Sequence, residues 1–362
     1  MRLLIAVVCC VSLAAFGADD PKKSTAKAST RAGVKTPGIQ IPFESLKSEA
    51  DIAVDTPGAA VMSGSILIPS KSKDQILRID AKTNKPPEPK PKPEEKMDKP
   101  ADAKPAPPPE PVPTGPVADI KQPCSGLVNA FGSFWIPSCG SQSLIRVDPK
   151  TLKIAATIAT GVADVPNGIV ATADSVWLFT DSKTTLSRID PVTNKVVDQL
   201  RLPANCDDLA SGESSLWVTC PSETRILRIN PSTNLVDKRI EVSAGARAVA
   251  FGAGSVWVLC EKDGKIDRID PKTNKVIKTI ELNVPNAAGD IAFGDGFLWV
   301  TQNGFPLTRI DVTSEKEKVA QQFWGDGGGR ILATPGAIWL TNIRKNSVSH
   351  IDPKRVLATL AE

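Results

Sequence analysis

The chain of 362 residues contains no tyrosine, a single histidine (His350) and only 5% aromatic residues. One imidazole leaves nothing from which to build a histidine-rich metal centre, and no Ser-His-Asp array is recognisable. Carbohydrate sites and single-strand nucleic-acid platforms depend on stacked aromatic rings, so the composition argues against both. The net charge of +4 is small for this length, and part of the basic excess sits in "PKKSTAKASTRAGVK" (21–35), which reads as a solvated tail. Nucleic acid is therefore not an expected partner. No apolar run outside the first residues is long enough to cross a bilayer. The five cysteines beyond residue 100 fit neither a CxxC zinc pattern nor a CxxCH haem attachment. The glycine-rich "FWGDGGGR" (323–330) lacks the GK[ST] ending and the following helix of a phosphate loop. Its glycines suit a sharp turn, and Trp324 either meets a ligand or covers a blade edge.

What is present begins with "MRLLIAVVCCVSLAAFGA", a basic residue, an apolar run and small residues in the layout of a secretory signal. Residues 1–18 are read as that signal and 19–48 as a linker, which places the mature protein in the periplasm or outside the cell. An uncleaved N-terminal anchor is the alternative.

A repeat dominates the rest. Trp135, Trp177, Trp217, Trp257, Trp299 and Trp339 lie at intervals of 42, 40, 40, 42 and 40 residues. Each sits in a β-rich run such as "GSVWVLC", preceded by a small apolar run and followed by a phrase such as "RIDPKTNKV" and another β-rich run. Four short strands per unit, separated by Gly, Asp, Pro and Asn, fit this pattern. In the phrase, Asp caps a turn, Pro presets its first torsion and Asn tolerates a left-handed backbone. Six Trp-marked units plus a unit marked by Leu67 ("AAVMSGSILIPS", "QILRIDAKTNK") give a predicted all-β, seven-bladed propeller of four-stranded antiparallel blades over 49–362. The fourth strand of the first unit is expected at "PVADIKQPCSG" (116–126). The intervening Pro/Lys/Glu-rich segment, 86–115, has no apolar periodicity and reads as a disordered insertion in blade 1. Two segments are available to close the ring, "EADIAV" (49–54) either beside the C-terminal "RVLATL" or in its place.

The repeats "GSVWVLCEKDGKIDRIDPKTNKVIKTIEL" and "DSVWLFTDSKTTLSRIDPVTNKVVDQLRL" resemble YVTN-type propellers, and the virginiamycin B lyase (streptogramin lyase) group among them, over about residues 58–362. The resemblance implies a propeller fold. It also implies, for the lyases, a metal ion held with histidine and glutamate side chains. This chain departs from that set. His350 stands where other blades have Arg78, Arg146, Arg188, Arg228, Arg268 and Arg309, and the glutamate position holds Ser138, Thr180, Cys220, Cys260, Gln302 and Asn342.

In a propeller, the loops leading into the innermost strands ring one mouth of the central channel. Nine residues before each marker stand Gly58, Gly126, Gly168, Asp208, Ala248, Asp290 and Arg330, with Asn167, Asp207 and Arg247 beside them. The expected ligand site is therefore Asn167, Asp207, Asp208, Arg247, Asp290 and Arg330, with an internal Arg330–Asp290 ion pair as the structural alternative. Cys124 and Cys206 precede their Trp by eleven residues, and Cys139 and Cys220 follow theirs by four and three. These positions face one another across a hairpin, which predicts disulfides Cys124–Cys139 and Cys206–Cys220, each worth about 3 kcal/mol in the chain-entropy account. Cys260 faces Ala246 and is expected to be a free, buried thiol. The sequence thus points to an exported, monomeric, non-catalytic binding or interaction module for a small molecule or an exported protein, with no cofactor. The alternative is a lyase- or lactonase-like enzyme with a divalent cation at the channel mouth.

Overall fold

The computed structural model describes residues 38–54, 61–62, 66–70, 74–80, 84, 120–203, 205–312, 317–342 and 344–360. The signal, most of the linker, Gly58 and the 86–115 insertion lie outside them. The described residues form twenty-eight strands. Two come from the N-terminal segment, β1 (Ile39–Pro42) and β2 (Ala50–Ala53). A three-stranded sheet follows: β3 (Val61–Met62), β4 (Ile66–Ser70) and β5 (Gln75–Ile79). The first blade is β6 (Val128–Ala130), β7 (Ser133–Ser138), β8 (Ser143–Val147) and β9 (Ile154–Ala159). The second is β10 (Ile169–Ala171), β11 (Val176–Thr180), β12 (Thr185–Asp190) and β13 (Lys195–Arg201). The third comprises β14 (Asp208–Gly212), β15 (Ser215–Thr219), β16 (Arg225–Asn230) and β17 (Leu235–Glu241). The fourth comprises β18 (Ala246–Gly252), β19 (Ser255–Cys260), β20 (Lys265–Asp270) and β21 (Lys275–Glu281). In the fifth, β22 (Gly289–Gly294), β23 (Phe297–Gln302), β24 (Phe305–Asp311) and β25 (Lys318–Trp324) gain β1 as a parallel outer strand. In the sixth, β26 (Ile331–Thr334), β27 (Ala337–Asn342) and β28 (Ser347–Ile351) are completed by β2.

The expectation of seven four-stranded blades is thereby corrected to six. Of the segment expected to give the first unit its fourth strand, only residues 120–126 are described, and they form no strand on β5. Pro123 bridges Ser138, the Cys124 amide donates to the Pro137 carbonyl at 2.8 Å, and the Cys139 amide donates to the Gln122 carbonyl at 2.9 Å. Residues 122–124 are thus tied to β7 of the first blade, not to the edge of β5.

The structure also decides the closure. "EADIAV" supplies β2, antiparallel to β28 with Ala50 opposite His350 and Ile52 opposite Val348. "RVLATL", read from the sequence as a candidate closing strand, forms no strand: its first four residues lie in a helix, α1 (Pro353–Ala358), and Thr359 and Leu360 in the turn that ends it. Asp352 caps it by accepting from the Lys354 amide at 2.8 Å, and Pro353 occupies the first turn. The stretch expected to be linker also contributes to the fold. Beyond β1, Leu46 is buried, and the Lys47 carbonyl accepts from Arg355 of α1 at 3.0 Å.

The core is divided among the interfaces between neighbouring sheets. Trp177 packs with Leu209, Leu216 and Val218 of the next blade, Trp217 with Val249 and Val258, and Trp257 with Ile291 and Leu298. Trp339 meets Ile66 and Ile68 of the three-stranded sheet, whose Leu67 packs in turn on Leu127 and Phe134 of the first blade. The second strands are therefore buried almost throughout, as in Val176–Thr180, while outer strands such as Lys195–Arg201 are mostly exposed.

The repeated phrase joins the blades. Within the turn, Asp190 accepts from the Val192 amide at 2.9 Å and the Thr193 hydroxyl at 2.7 Å, and Asn194 takes φ of 55°. The arginine two residues earlier faces the blade tryptophan across the strands. Arg146 lies 4.9 Å from the Trp135 ring and donates through Nη1 to the Pro191 carbonyl at 2.6 Å and to Asn194 Oδ1 at 3.0 Å, both in the next blade's turn. Arg228 repeats the contact on Pro271 and Asn274. His350 is the same device at the ring closure. It stacks on Trp339 at 4.4 Å, and its Nδ1 lies 2.8 Å from Asn84 Oδ1.

Candidate functional site: the channel mouth

Asp208 is the first residue of β14 and Asp290 the second of β22, the innermost strands of the third and fifth blades, and both side chains are buried. Their carboxylates do the same structural work. Asp208 accepts from its own blade's Leu209 amide at 2.8 Å and from the next blade's Val249 amide at 3.0 Å. Asp290 accepts from the Ile291 amide at 2.9 Å and, one blade on, from the Ile331 amide at 3.2 Å. Each carboxylate therefore staples two neighbouring innermost strands through amides that a sheet edge would otherwise leave unpaired.

Asn167 binds both. Its Nδ2 donates to Asp208 Oδ2 at 3.3 Å and, reaching three blades round the ring, to Asp290 Oδ1 at 3.0 Å. Arg330 stands on the sixth blade with Nη1 3.9 Å from Asp290 Oδ1. Burial and the nearby charge of Asp290 push the Asp208 pKa up to about 8, against the opposing pull of Arg330, the Val249 amide and Asn167. At neutral pH, Asp208 therefore carries a proton.

Four of the six expected site residues, Asn167, Asp208, Asp290 and Arg330, come together in this way. The other two form a separate ion network. Asp207 accepts from Lys183 Nζ at 2.6 Å and pairs with Arg247 at 3.2 Å, while Arg247 also approaches Glu261 at 3.8 Å. Successive side chains of an extended segment point to opposite sides, which separates Asp207 from Asp208.

A cavity of about 270 Å³ lies on the axis beside Asn167 and Arg330. Sequence reasoning missed its aliphatic wall: Leu127, Ile169, Leu209, Val249, Ile291 and Ile331, one residue from each blade. The signal was available, because in every Trp-marked repeat an aliphatic residue follows the mouth position directly. Thr341 and Trp339 complete the sixth blade's side.

Both expected cysteine pairs are at bonding distance, with S–S 2.11 Å in Cys124–Cys139 and in Cys206–Cys220, and Cys260 is free and buried. Burial, with the carboxylates of Asp267 and Asp263, raises the Cys260 thiol well above its usual range. No helix among the described residues is long and apolar enough to cross a membrane.

No family model and no curated protein matches the chain. Solved structures do. A streptogramin B lyase structure superposes with a TM-score of 0.63 at 14% identity, covering 84% of this chain and 96% of that one. Virginiamycin B lyase from Staphylococcus aureus gives 0.61 at 17% identity, with 84% and 98% covered. BamB from Moraxella catarrhalis gives 0.56 at 9% identity, with 85% and 99% covered. At these identities the likeness establishes the fold, a propeller like that of the virginiamycin B lyases.

Proposed function

We propose that the protein is an exported, non-catalytic binding propeller whose ligand occupies the axial cavity beside Arg330 and Asn167. The observation that carries this reading is the division of labour at the mouth. Both carboxylates are engaged by backbone amides as inter-blade staples, while the aliphatic cavity next to them keeps a polar pole. A mostly apolar concavity with a few convergent polar groups is the ordinary form of a small-molecule site. The two disulfides suit an oxidising compartment and support export.

The donor set speaks against the enzymatic alternative. A divalent cation needs free carboxylate oxygens, whereas here Asp208 and Asp290 accept from four backbone amides, and an Asn167 amide nitrogen and an arginine also face them. The single histidine is occupied by its Trp339 stack and its Asn84 contact. A screen of small anionic metabolites, divalent ions and exported peptides by thermal shift tests the reading, comparing wild type with Arg330→Ala. The expected result is a ligand whose stabilisation of the wild type is lost in the variant. Equal shifts in both proteins place the site elsewhere on the ring, and a divalent ion that alone stabilises the wild type favours the metal-dependent enzyme.

A further inference from the structure

Arg330 differs from the arginines that stack on the blade aromatics. Arg146, Arg188, Arg228 and Arg309 each hydrogen-bond through the guanidinium, for example Arg188 Nε to Ser175 Oγ at 2.7 Å and Arg309 Nε to Gln321 Oε1 at 2.6 Å. The Arg330 guanidinium makes no hydrogen bond among the described residues. Its one ionic contact is Asp290 at 3.9 Å, and its side chain is only 20% exposed. The reason lies in the staples. The Asp290 oxygens already accept from Ile291, Ile331 and Asn167, so the carboxylate is held in position by backbone and cannot turn to meet the arginine. The guanidinium donors are not taken up by the protein and lie at the lining of the axial cavity, and the group that best meets them there brings acceptor oxygens of negative charge. The wall beside it sets the rest of the ligand. Leu127, Ile169, Leu209, Val249 and Ile291 offer hydrocarbon only, in a space of about 270 Å³.

Resting on the axial-cavity reading, we propose that the ligand class is a compact aliphatic monocarboxylate. Its carboxylate sits on the Arg330 guanidinium, a planar fork that matches two carboxylate oxygens, and its hydrocarbon body lies against the ring of Leu, Ile and Val side chains. The Asp208 proton keeps the mouth from presenting two negative charges to such an anion. A cationic ligand finds carboxylates already held by backbone amides, and a polyol finds a wall without hydroxyls apart from Thr341.

The test is calorimetric titration of the full chain with hexanoate, isovalerate, acetate, hexanol and hexylamine, each against wild type, Arg330→Gln and Arg330→Lys, with circular dichroism confirming that the variants are folded. Hexanoate and isovalerate are expected to bind the wild type, with acetate and hexanol weaker by about tenfold or more, since each lacks one half of the recognition. Arg330→Gln should lose the preference for hexanoate over hexanol, and Arg330→Lys should keep part of it. Hexanol binding as tightly as hexanoate, or hexanoate binding unchanged in Arg330→Gln, overturns the carboxylate assignment while leaving the cavity as a site. Hexylamine as the preferred probe overturns it in favour of a cation. If no probe binds the wild type, the carboxylate assignment falls, and if the wider screen also finds nothing lost in Arg330→Ala, the axial-cavity reading falls with it.

Discussion

Replacing Asp208 with asparagine should remove a pH dependence of stability that the mouth creates. In the folded protein this carboxyl holds its proton to about pH 8, against an ordinary value of 3.8 in the unfolded chain. Over the interval between those values the folded state binds a proton that the unfolded state has released. Stability is therefore full at low pH and declines as pH rises towards 8. His350 contributes the opposite slope: burial, opposed by Glu49 and Asp352, lowers its pKa, so stability is lost as pH falls below its ordinary 6.5. The interval from about pH 6.5 to 8 therefore isolates Asp208, and at roughly 1.4 kcal/mol per unit the wild type should lose about 2 kcal/mol across it. The carboxylates whose pKa is lowered, Asp148, Asp174, Asp190 and Asp270, titrate well below this window. Asp208→Asn keeps the shape but can accept through only one atom, so one of the Leu209 and Val249 amides loses its partner. That should cost about 1–3 kcal/mol at every pH. Urea denaturation followed by tryptophan fluorescence at pH 6.5 and pH 8 measures both effects. A wild type as stable at pH 8 as at pH 6.5, or a slope that persists in Asp208→Asn, refutes the assignment of a retained proton to Asp208.

Ala246 stands opposite Cys260 with the spacing to Trp257 that Cys206 and Cys220 have to Trp217. Ala246→Cys should therefore form a third disulfide, read as loss of the Cys260 free thiol by peptide mapping under denaturing, non-reducing conditions. Arg228→Lys should destabilise by about 1–3 kcal/mol, because a lysine cannot span Ser215, Pro271 and Asn274 together while lying over Trp217. Arg188→Lys is the control. Arg188 pairs with the exposed Asp174 of its own blade and makes no hydrogen bond to the next blade's turn among the described residues, so its loss in urea denaturation should be visibly smaller.

Much of this architecture is local chemistry, and local chemistry is legible. The tryptophan period, the Asp-Pro-x-Thr-Asn turn and the facing cysteines each depend on residues within one hairpin, so the sequence carries them directly. The ring closure does not. "EADIAV" and "RVLATL" are both short and apolar enough for a strand, and the decision rests on the Asp352-Pro353 helix start and on 298 residues of separation between Asp51 and its partner Ser349. The blade count failed for a similar reason: residues 122–124 look like the end of an outer strand until Cys124 is placed against Cys139. At the mouth, the sequence identified the ring of positions but not their partners. Asp207 and Asp208 are neighbours in the chain and part company in space, and Asn167 meets Asp290 at a separation of 123 residues. The state of Arg330 is one step further removed. A sequence shows an arginine next to an aspartate on the adjoining ring position and invites an ion pair. Only the register between blades, which sets the Ile331 amide against Asp290, shows that the aspartate is already engaged and that the guanidinium is left with donors to offer.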